Sequence, residues 1–387
     1  FYEGIFDRVE KSKKDNINET LVEMLKRIFG GSSMNICQTQ QLPMMKVPEM
    51  MVELKDEYKN MQARKTSRII PFPLALKTQT EKDLDNAVRM GIIENMSGKN
   101  NHNLWLAPMI VVPKRDNTPR RVVDFSVLNQ FCKRSAEATM DTQRMATAVP
   151  VPEEGKEIFF SCMDAWNGYH SIPLHESAKN YFGFLCEYGT FRYNVAPQGF
   201  LGSGDWYVAQ YNTIMSKLLE EEKKEEDSVF KCFSDKRGKD WSSPAWRRCI
   251  DDTLLWSSSL KQSFLQCAKY LTFCGKEGII FNPKKLEVGK KQVNIFGFKM
   301  SQTGVLPSDN QIESMSRYPT PKNLRDMRGF MGLVNQTTFC LSSETRKLME
   351  GLKDTLKSTK QWAWTDENEE TFIELKKNIV TDCGKGI

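Results

Sequence analysis

Two adjacent aspartates, Asp251 and Asp252, interrupt a run that is otherwise apolar, CIDDTLLW at residues 249–256. Neighbouring side chains of a strand point to opposite faces of the sheet, so both carboxylates could not reach water from a strand interior. An unpaired carboxylate in a core is costly. The pattern therefore favours the tip of a hairpin, where the acids can meet cations, although an Asp pair also fills ordinary turns and helix caps.

A second acid, Asp164, ends another apolar run, FFSCMD at residues 159–164, and a turn-forming Trp-Asn-Gly follows it. Alone, it could be the cap of a following helix. Together, one acid at a strand end and a pair on a hairpin suit Mg²⁺, which takes a few carboxylates and completes its shell with water and substrate phosphates. The chain has only three histidines, and its ten cysteines show no CxxC spacing. Carboxylates would therefore have to hold any metal.

Helical and strand patterns alternate along the chain without the even spacing of βαβ units. Apolar periodicity predicts helices at 18–29, 80–91, 206–222 and 263–278, and the first seventy residues as a whole look helical around a connector at 42–51. Runs rich in β-branched residues predict strands at 109–112, 121–125, 158–162, 190–195, 249–256 and 293–300. A charged block at 220–227 and a polar insert reaching Pro244 indicate a solvated helix end and loop, and after Pro307 the pattern is helical again. We expect an α+β fold.

Composition excludes several classes of protein. Hydrophobic residues make up 40% of the 387 residues, which is too many for a mainly disordered chain. No apolar run reaches the length of a membrane span, and from the opening residues we expect no secretory leader. Scattered cysteines in a chain this long indicate reduced intracellular thiols, and a net charge of +6 is compatible with nucleic acid without being diagnostic. Because it opens with Phe1, the sequence looks like a piece of a longer protein.

Seven motifs, taken in order, resemble the reverse transcriptases of gypsy-type (Metaviridae-like) long-terminal-repeat retrotransposons. They are VPKRDNTPRRVVDFSVLN at 112–129, DAWNGYHSIPL at 164–174, FRYNVAPQGFLGSGDWY at 191–207, CIDDTLLW at 249–256, GIIFNPKKLEV with VNIFGFKMS at 278–301, YPTPKNLRDMRGFMGLVNQ at 318–336 and QWAWTDENEETFIELK at 361–376. The resemblance covers about Pro71 to Lys376, whereas residues 1–70 carry no such motif.

The resemblance implies a right-hand polymerase with fingers, palm and thumb, the palm being an antiparallel sheet backed by helices. Residues 1–70 would be a helical extension of unknown role, 71–305 the fingers and palm, 306–360 the thumb, and 361–387 the start of a connection segment. The activity implied is RNA-directed DNA polymerisation as part of a Pol polyprotein, by nucleotidyl transfer on RNA or DNA templates. Neither RNase H nor protease activity is expected of this chain.

In that family three aspartates bind two catalytic Mg²⁺ ions, for which Mn²⁺ can substitute. Matched residue by residue, they are Asp164, Asp251 and Asp252. Asp164 and Asp251 would bridge the ions, and Asp252 would be a weaker or indirect ligand. The resemblance also implies that the primer 3′-hydroxyl attacks the α-phosphate of the incoming nucleotide between these ions.

Five residues are candidates for contacts with the incoming deoxynucleotide. The resemblance assigns the triphosphate to Arg120 and to either Lys114 or Arg115, which the variable turn length leaves undecided. Tyr169 matches an aromatic residue that lies beneath the sugar and excludes a 2′-hydroxyl. Gln198 would contact the same sugar or groups on the template side. Without the motif context, the cations would be solvated surface charges and Tyr169 an ordinary half-buried side chain.

Template and primer must be held by their backbones if any sequence is to be copied. The candidates are Gly199, which allows a close approach, the basic residues Lys284 and Lys285, and the primer grip Phe296, Gly297 and Phe298, whose rings could equally belong to a plain core strand. A helix at 323–335 would be the part of the thumb along the minor groove. The partners implied are an RNA template, a DNA primer, the RNA–DNA hybrid and dNTPs, with no membrane, inside a cytoplasmic retrotransposon particle.

Two substitutions depart from the family pattern. Cys249 stands where many relatives have Tyr, and Ser126 replaces a frequent Arg that would support template contacts in the fingers. Three alternatives remain: a catalytically inactive or domesticated nucleic-acid-binding remnant, an RNA-templated RNA polymerase, and a structural protein with a mildly basic face. Intact aspartates argue against the first, and Tyr169 argues against the second because such an enzyme must admit the 2′-hydroxyl.

Overall fold

A computed structural model describes residues 1–12, 15–114, 116–134, 142–150, 155–231, 244–356 and 362–385. The chain divides into two compact units. The first comprises Phe1–Thr139, Met163–Ser228 and Leu265–Leu286, and the second comprises Met140–Cys162, Val229–Phe264 and Glu287–Ile387. Arg115, a predicted triphosphate contact, and most of the polar insert before Pro244 lie outside the described residues.

Helices and strands interleave throughout, as expected for an α+β fold. The α-helices are α1 (Tyr2–Lys11), α2 (Ile17–Phe29), α3 (Lys77–Arg89), α4 (Ser126–Phe131), α5 (Thr142–Thr147), α6 (Glu176–Lys179), α7 (Leu201–Lys224), α8 (Leu260–Lys276), α9 (Asp309–Ser316), α10 (Leu324–Asn335), α11 (Ser343–Leu352) and α12 (Asp366–Lys385). The strands are β1 (Ile93–Asn95), β2 (Leu106–Pro113), β3 (Pro119–Val123), β4 (Phe159–Asp164), β5 (Gly183–Cys186), β6 (Gly189–Tyr193), β7 (Trp246–Cys249), β8 (Asp252–Ser257), β9 (Glu287–Lys290), β10 (Gln292–Ile295), β11 (Phe298–Ser301) and β12 (Gly304–Pro307). Short 3₁₀ helices lie at Asp56–Tyr58, Leu74–Leu76, Tyr169–Ser171, Pro283–Lys285, Thr338–Cys340 and Lys353–Leu356.

A five-stranded sheet in the order β1-β6-β5-β2-β3 organises the first unit. The β2–β3 pair is an antiparallel hairpin closing at Pro113 and Pro119, and β2 runs parallel to β5. The hairpin turn takes a left-handed backbone at Asn117, with φ +60°, a conformation that asparagine tolerates. Strand β5 was not predicted, because its GFLC sequence is short and offers no alternation.

Helix prediction was correct for α2, α3, α7 and α8, with ends displaced by a few residues. It was wrong for the first seventy residues as a whole, because the α-helix there stops at Phe29. Pro43 and Pro48 follow in the sequence, and the chain beyond them is held by backbone hydrogen bonds to distant segments. One example is the Met50 N–H, which donates to the Pro173 carbonyl at 2.8 Å.

The second unit contains a four-stranded sheet in the order β7-β8-β4-β9 and a three-stranded sheet in the order β10-β11-β12. Leu254, Trp256, Phe160 and Phe298 belong to one buried cluster in this unit. The run at 293–300, predicted as one strand, is instead two strands of a hairpin. Its turn is Phe296-Gly297, with φ +58° and +83°, so an apolar run of the right length concealed a reversal.

After Pro307 the described residues form helices α9 to α12, in agreement with the helical pattern of this part of the sequence. Helix α10 matches the predicted thumb helix and begins at a capped end, where Asn323 Oδ1 accepts the Asp326 N–H at 2.9 Å. Met327, Phe330 and Val334 of α10 are buried in one cluster with Phe372 of α12. In the described part of the chain, no helix is both long enough and apolar enough to cross a bilayer.

Candidate nucleotide and metal site

The aspartate pair lies at the tip of a hairpin, as the sequence predicted. Cys249 ends β7, Asp252 begins β8, and the two residues pair with each other. Ile250 and Asp251 form the two-residue turn between them. Ile250 has φ +53°, a conformation that a β-branched residue adopts only at a cost. Arg248 Nη1 donates to the Ile250 carbonyl at 2.7 Å and so supports the turn. Both carboxylates are half-buried.

Asp164 is the last residue of β4, and its surroundings belong to the first unit. Its main-chain carbonyl accepts the Asn282 N–H at 2.8 Å, which ties the strand end to the segment before β9. Its Oδ1 lies 3.0 Å from the Lys285 Nζ. The Asp164 carboxylate is 20% exposed, whereas the lysine side chain is 61% exposed. A half-buried carboxylate in this structure is therefore already paired with a cation.

Within the described ranges, no three His, Cys, Asp or Glu side chains are grouped so that they could hold one ion. The individual donors nevertheless fit a hard cation, since they are carboxylate oxygens and Asp164 accepts a positive charge. Lys285 occupies one side of that carboxylate, a contact that the sequence did not predict.

The β2–β3 hairpin carries the predicted triphosphate cations. Lys114 follows β2, Arg120 lies in β3, and both side chains are exposed. The turn is fixed by the Lys114 N–H, which donates to the Thr118 carbonyl at 2.8 Å, and by Asp116 Oδ1, which accepts the Thr118 N–H at 3.0 Å. Arg115 lies outside the described residues, so Lys114 is the member of that pair whose position is known.

A cavity of about 490 Å³ in the first unit brings four predicted residues together, namely Lys114, Arg120, Gln198 and Gly199. Its volume lies within the range of small-molecule and cofactor pockets. Three cations and one carboxylate, Asp83, are the charged residues among its described lining. The cavity therefore favours an anionic ligand of roughly nucleotide size.

Sequence reasoning missed two residues of this cavity, Arg121 and His170. Burial, with the positive charge of Arg121 as a second cause, lowers the pKa of His170 to about 4. The imidazole is therefore neutral at pH 7. The signal that could have found Arg121 is the doubled arginine in PRRVV, because strand neighbours face opposite sides and only one of the two could be an ordinary surface charge.

Tyr169 begins the 3₁₀ helix Tyr169–Ser171 and is not among the residues lining the cavity. Its ring meets Tyr207 edge-on at a centroid distance of 5.4 Å. A Cβ added at Gly204 would lie 3.6 Å from the Tyr169 hydroxyl. The ring is thus braced from the side of α7, and its role beneath a nucleotide sugar stays a prediction.

Gly199 has φ +91°, and a Cβ there would lie 3.3 Å from the Val123 carbonyl oxygen. Asn129 Nδ2 donates to the Gly199 carbonyl at 3.0 Å, and Asn129 Oδ1 accepts the Leu201 N–H at 3.0 Å. Glycine is therefore favoured at position 199 because the backbone there lies close to the backbone of β3. A contact with template or primer stays a prediction.

The predicted primer grip is a tight turn whose two rings are buried. Phe296 and Phe298 are 9% and 2% exposed and belong to the core of the second unit. A nucleic-acid contact at this turn would therefore come from the backbone at Gly297. Lys284 and Lys285 are exposed on the 3₁₀ helix Pro283–Lys285, which Asn282 caps.

The sequence is similar to reverse transcriptases and to transposon polyproteins. Residues 112–300 match the family profile described as "Reverse transcriptase (RNA-dependent DNA polymerase)". The Transposon Tf2-3 polyprotein of Schizosaccharomyces pombe is 25% identical over 344 residues, which cover 89% of this chain and 23% of the polyprotein. The Tf2-7 polyprotein of the same organism gives the same identity and coverage. The chain therefore spans about a quarter of the length of these curated relatives.

Two solved structures resemble the whole described fold. A foamy viral protease-reverse transcriptase dRH in complex with ds DNA has a TM-score of 0.74 at 16% identity, covering 98% of this chain and 60% of that one. A foamy viral protease-reverse transcriptase in complex with RNA/DNA hybrid has a TM-score of 0.69 at 16% identity, covering 98% and 45%. These likenesses confirm the predicted α+β polymerase fold.

Proposed function

We propose that this chain, which carries a reverse transcriptase domain of the long-terminal-repeat retrotransposon type, extends a DNA primer with deoxynucleotides on an RNA or DNA template. The observation that carries the proposal is the extent of the family match. Residues 112–300 include the cationic β2–β3 hairpin, Asp164 and the Asp251–Asp252 hairpin tip in one continuous stretch.

Asp164, Asp251 and Asp252 are the proposed ligands of two Mg²⁺ ions, which Mn²⁺ could replace. When bound, such ions neutralise the charge on the attacking and leaving oxygens of an in-line phosphoryl transfer. The chain's own contribution is to hold the three aspartates at a strand end and at a hairpin tip, where hydrogen bonds restrain the backbone. The main-chain bond between Asp164 and Asn282 and the support of Ile250 by Arg248 serve that purpose.

Lys114 and Arg120 are proposed to bind the triphosphate of the incoming nucleotide, since phosphoryl transfer depends on positioning and charge neutralisation. Both line the cavity of about 490 Å³, beside Gln198, which would contact the sugar or a group on the template side. Tyr169 is proposed to exclude the 2′-hydroxyl. The support for that role is the edge-on contact with Tyr207, which limits movement of the ring.

Template and primer are the proposed macromolecular partners. The two foamy viral structures of similar fold contain ds DNA and an RNA/DNA hybrid, which supports a duplex as the ligand here. In this proposal, residues 71–305 act as fingers and palm, 306–360 as thumb and 361–387 as the start of a connection. Lys284, Lys285, Gly199 and the Phe296–Phe298 turn contact the duplex, and the chain works inside a cytoplasmic retrotransposon particle.

Primer extension tests the proposal. The wild type is incubated with dNTPs, an RNA template and a DNA primer, with Mg²⁺ or Mn²⁺, beside Asp251→Asn and beside Asp85→Asn as an exposed-carboxylate control on α3. We expect extension by the wild type and the control, and at least a hundredfold less by Asp251→Asn. If none of the three proteins extends the primer, but the hybrid still binds in a salt-sensitive way, the proposal is refuted in favour of a catalytically inactive nucleic-acid-binding remnant.

A further inference from the structure

The two arginines of β3 have different surroundings. Arg120 is exposed, whereas Arg121 is half-buried, as expected for neighbours that face opposite sides of a strand. Arg121 Nη1 is fully buried, and the described residues offer it no hydrogen-bond partner. A guanidinium is always charged and carries five donors, so this arrangement is unusual.

An unpartnered buried charge is costly unless something neutralises it. The only carboxylate among the described lining of the cavity is Asp83, and its Oδ1 accepts the Gln79 amide at 3.0 Å. The other charged lining residues, Lys114 and Arg120, are themselves cations. Among the described lining residues none supplies a compensating charge to Arg121, which favours a ligand as its source.

His170 has the same feature. Its Nε2 is buried, and no hydrogen-bond partner for it exists among the described residues. The ring stacks on Tyr193 at a centroid distance of 6.1 Å, which fixes its plane. A neutral imidazole and a guanidinium, both with unused polar atoms, thus line one cavity.

We propose that Arg121 and His170 form an inner phosphate-binding subsite of this cavity, where the Arg121 guanidinium and the His170 Nε2–H both donate to phosphate oxygens. The identity of the ligand rests on the proposed function, under which the phosphate belongs to the incoming nucleoside triphosphate. The subsite adds two residues to Lys114 and Arg120, which lie exposed on the hairpin. The same chemistry would also hold the pyrophosphate product.

Anion binding without nucleic acid or metal tests the subsite. Inorganic tripolyphosphate is titrated calorimetrically into the whole chain, as wild type, Arg121→Met, Arg121→Gln and Arg68→Met, the last being an exposed arginine of the same unit outside the cavity. A charge-assisted hydrogen bond is worth enough to predict a loss of affinity of about tenfold or more in both Arg121 variants and none in Arg68→Met. Equal affinity in all four proteins, or no binding by the wild type, would overturn the proposal.

Folding of the variants is itself informative. Because the buried Arg121 Nη1 has no hydrogen-bond partner among the described residues, replacement of Arg121 by Met or Gln is expected to leave the melting temperature unchanged or raised. If both variants failed to fold, Arg121 would have a structural contact, and the subsite would be wrong.

The histidine contact has its own readout. The chain has three histidines, so the imidazole ¹⁵N resonances of His170 can be assigned by comparison with His170→Gln. Tripolyphosphate should shift them in the wild type and leave them unmoved in Arg121→Met. Resonances that stay unmoved in the wild type while binding depends on Arg121 would remove His170 from the subsite.

Two further titrations, with dTTP and with pyrophosphate, distinguish the sources of the phosphate. Tighter binding of dTTP that depends on Arg121 assigns the subsite to the substrate, and tighter binding of pyrophosphate assigns it to the product. If primer extension fails but tripolyphosphate binding still depends on Arg121, the subsite stands and the polymerase proposal fails. The opposite pattern refutes the subsite alone.

Discussion

Replacing Lys285 by Met should increase the affinity of this protein for divalent cations. The Lys285 Nζ lies 3.0 Å from Asp164 Oδ1, and Asp164 is a proposed metal ligand. A cation that approaches this carboxylate must compete with the ammonium or displace it. Met keeps most of the aliphatic length of the side chain and removes the charge, so the competing cation is lost.

The size of the effect follows from the exposure of the pair. Two unit charges at about 4 Å attract by about 1 kcal/mol in water, and measured pairs with an exposed partner are worth about 0.2–1 kcal/mol. With the lysine side chain 61% exposed, the pair belongs to this class. An interaction of about 0.5–1 kcal/mol corresponds to a two- to fivefold change in the dissociation constant.

The adjacent Lys284 provides a matched control. It is exposed on the same 3₁₀ helix, and among the described residues it makes no ion pair. Lys284→Met removes the same charge from the same surface, so any general effect on metal or nucleic acid is common to both variants.

Binding of Mn²⁺ is measured without nucleic acid, from the electron paramagnetic resonance signal of the free ion. The dissociation constant for Mn²⁺ should fall two- to fivefold in Lys285→Met. In Lys284→Met it should change by less than twofold. Equal shifts in the two variants would mean that only the general surface charge matters. A rise in Lys285→Met would mean that the lysine orders Asp164 for the metal, and either result refutes the argument.

Three other outcomes are expected. Gly278→Ala should destabilise the fold by at least about 3 kcal/mol in urea denaturation, because Gly278 has φ +81° and a Cβ added there would lie 2.0 Å from the Met44 carbonyl oxygen. The control is Gly332→Ala in α10, where an added Cβ would have nothing within 4 Å, and this change should be neutral or stabilising. The pKa of His170 is about 4 in the folded protein and about 6.5 in the unfolded protein, so the unfolded state takes up a proton first as the pH falls. The free energy of unfolding should therefore decrease by about 2–3 kcal/mol between pH 6.5 and pH 4. His170→Phe should flatten that part of the pH–stability profile. Tyr169→Ala should raise incorporation of ribonucleotides relative to deoxynucleotides in primer extension at least tenfold, and an unchanged ratio would remove Tyr169 from the sugar site.

The sequence predicted best where one physical requirement leaves few solutions. The Asp251–Asp252 pair had to leave the strand interior, because alternation would bury one carboxylate, and the structure puts the pair at a two-residue turn. The β2–β3 hairpin was similarly constrained, since Asp116-Asn-Thr-Pro can hardly continue a strand.

Prediction failed where the local pattern fits two conformations. The run at 293–300 has the length and composition of one buried strand, and only Gly297 hints at the reversal. Phe296 has a positive φ while its ring and that of Phe298 are both buried in the core, a combination that local propensity does not predict. The first seventy residues failed for a related reason, because contacts such as Met50 with Pro173 are made across a long stretch of sequence.

The cations proposed to bind phosphate show why the charge of a sequence does not by itself locate a binding site. A net charge of +6 does not say which cations are compensated. In the structure, Arg192 is paired with Glu94, and Lys77 lies 2.9 Å from Glu187, so the charge of each is compensated within the protein. Arg121 has no such partner among the described residues, and the difference depends on which acids the fold brings near. The proposed phosphate site therefore depends on a cation that the fold leaves uncompensated, and that property exists only after the chain has folded.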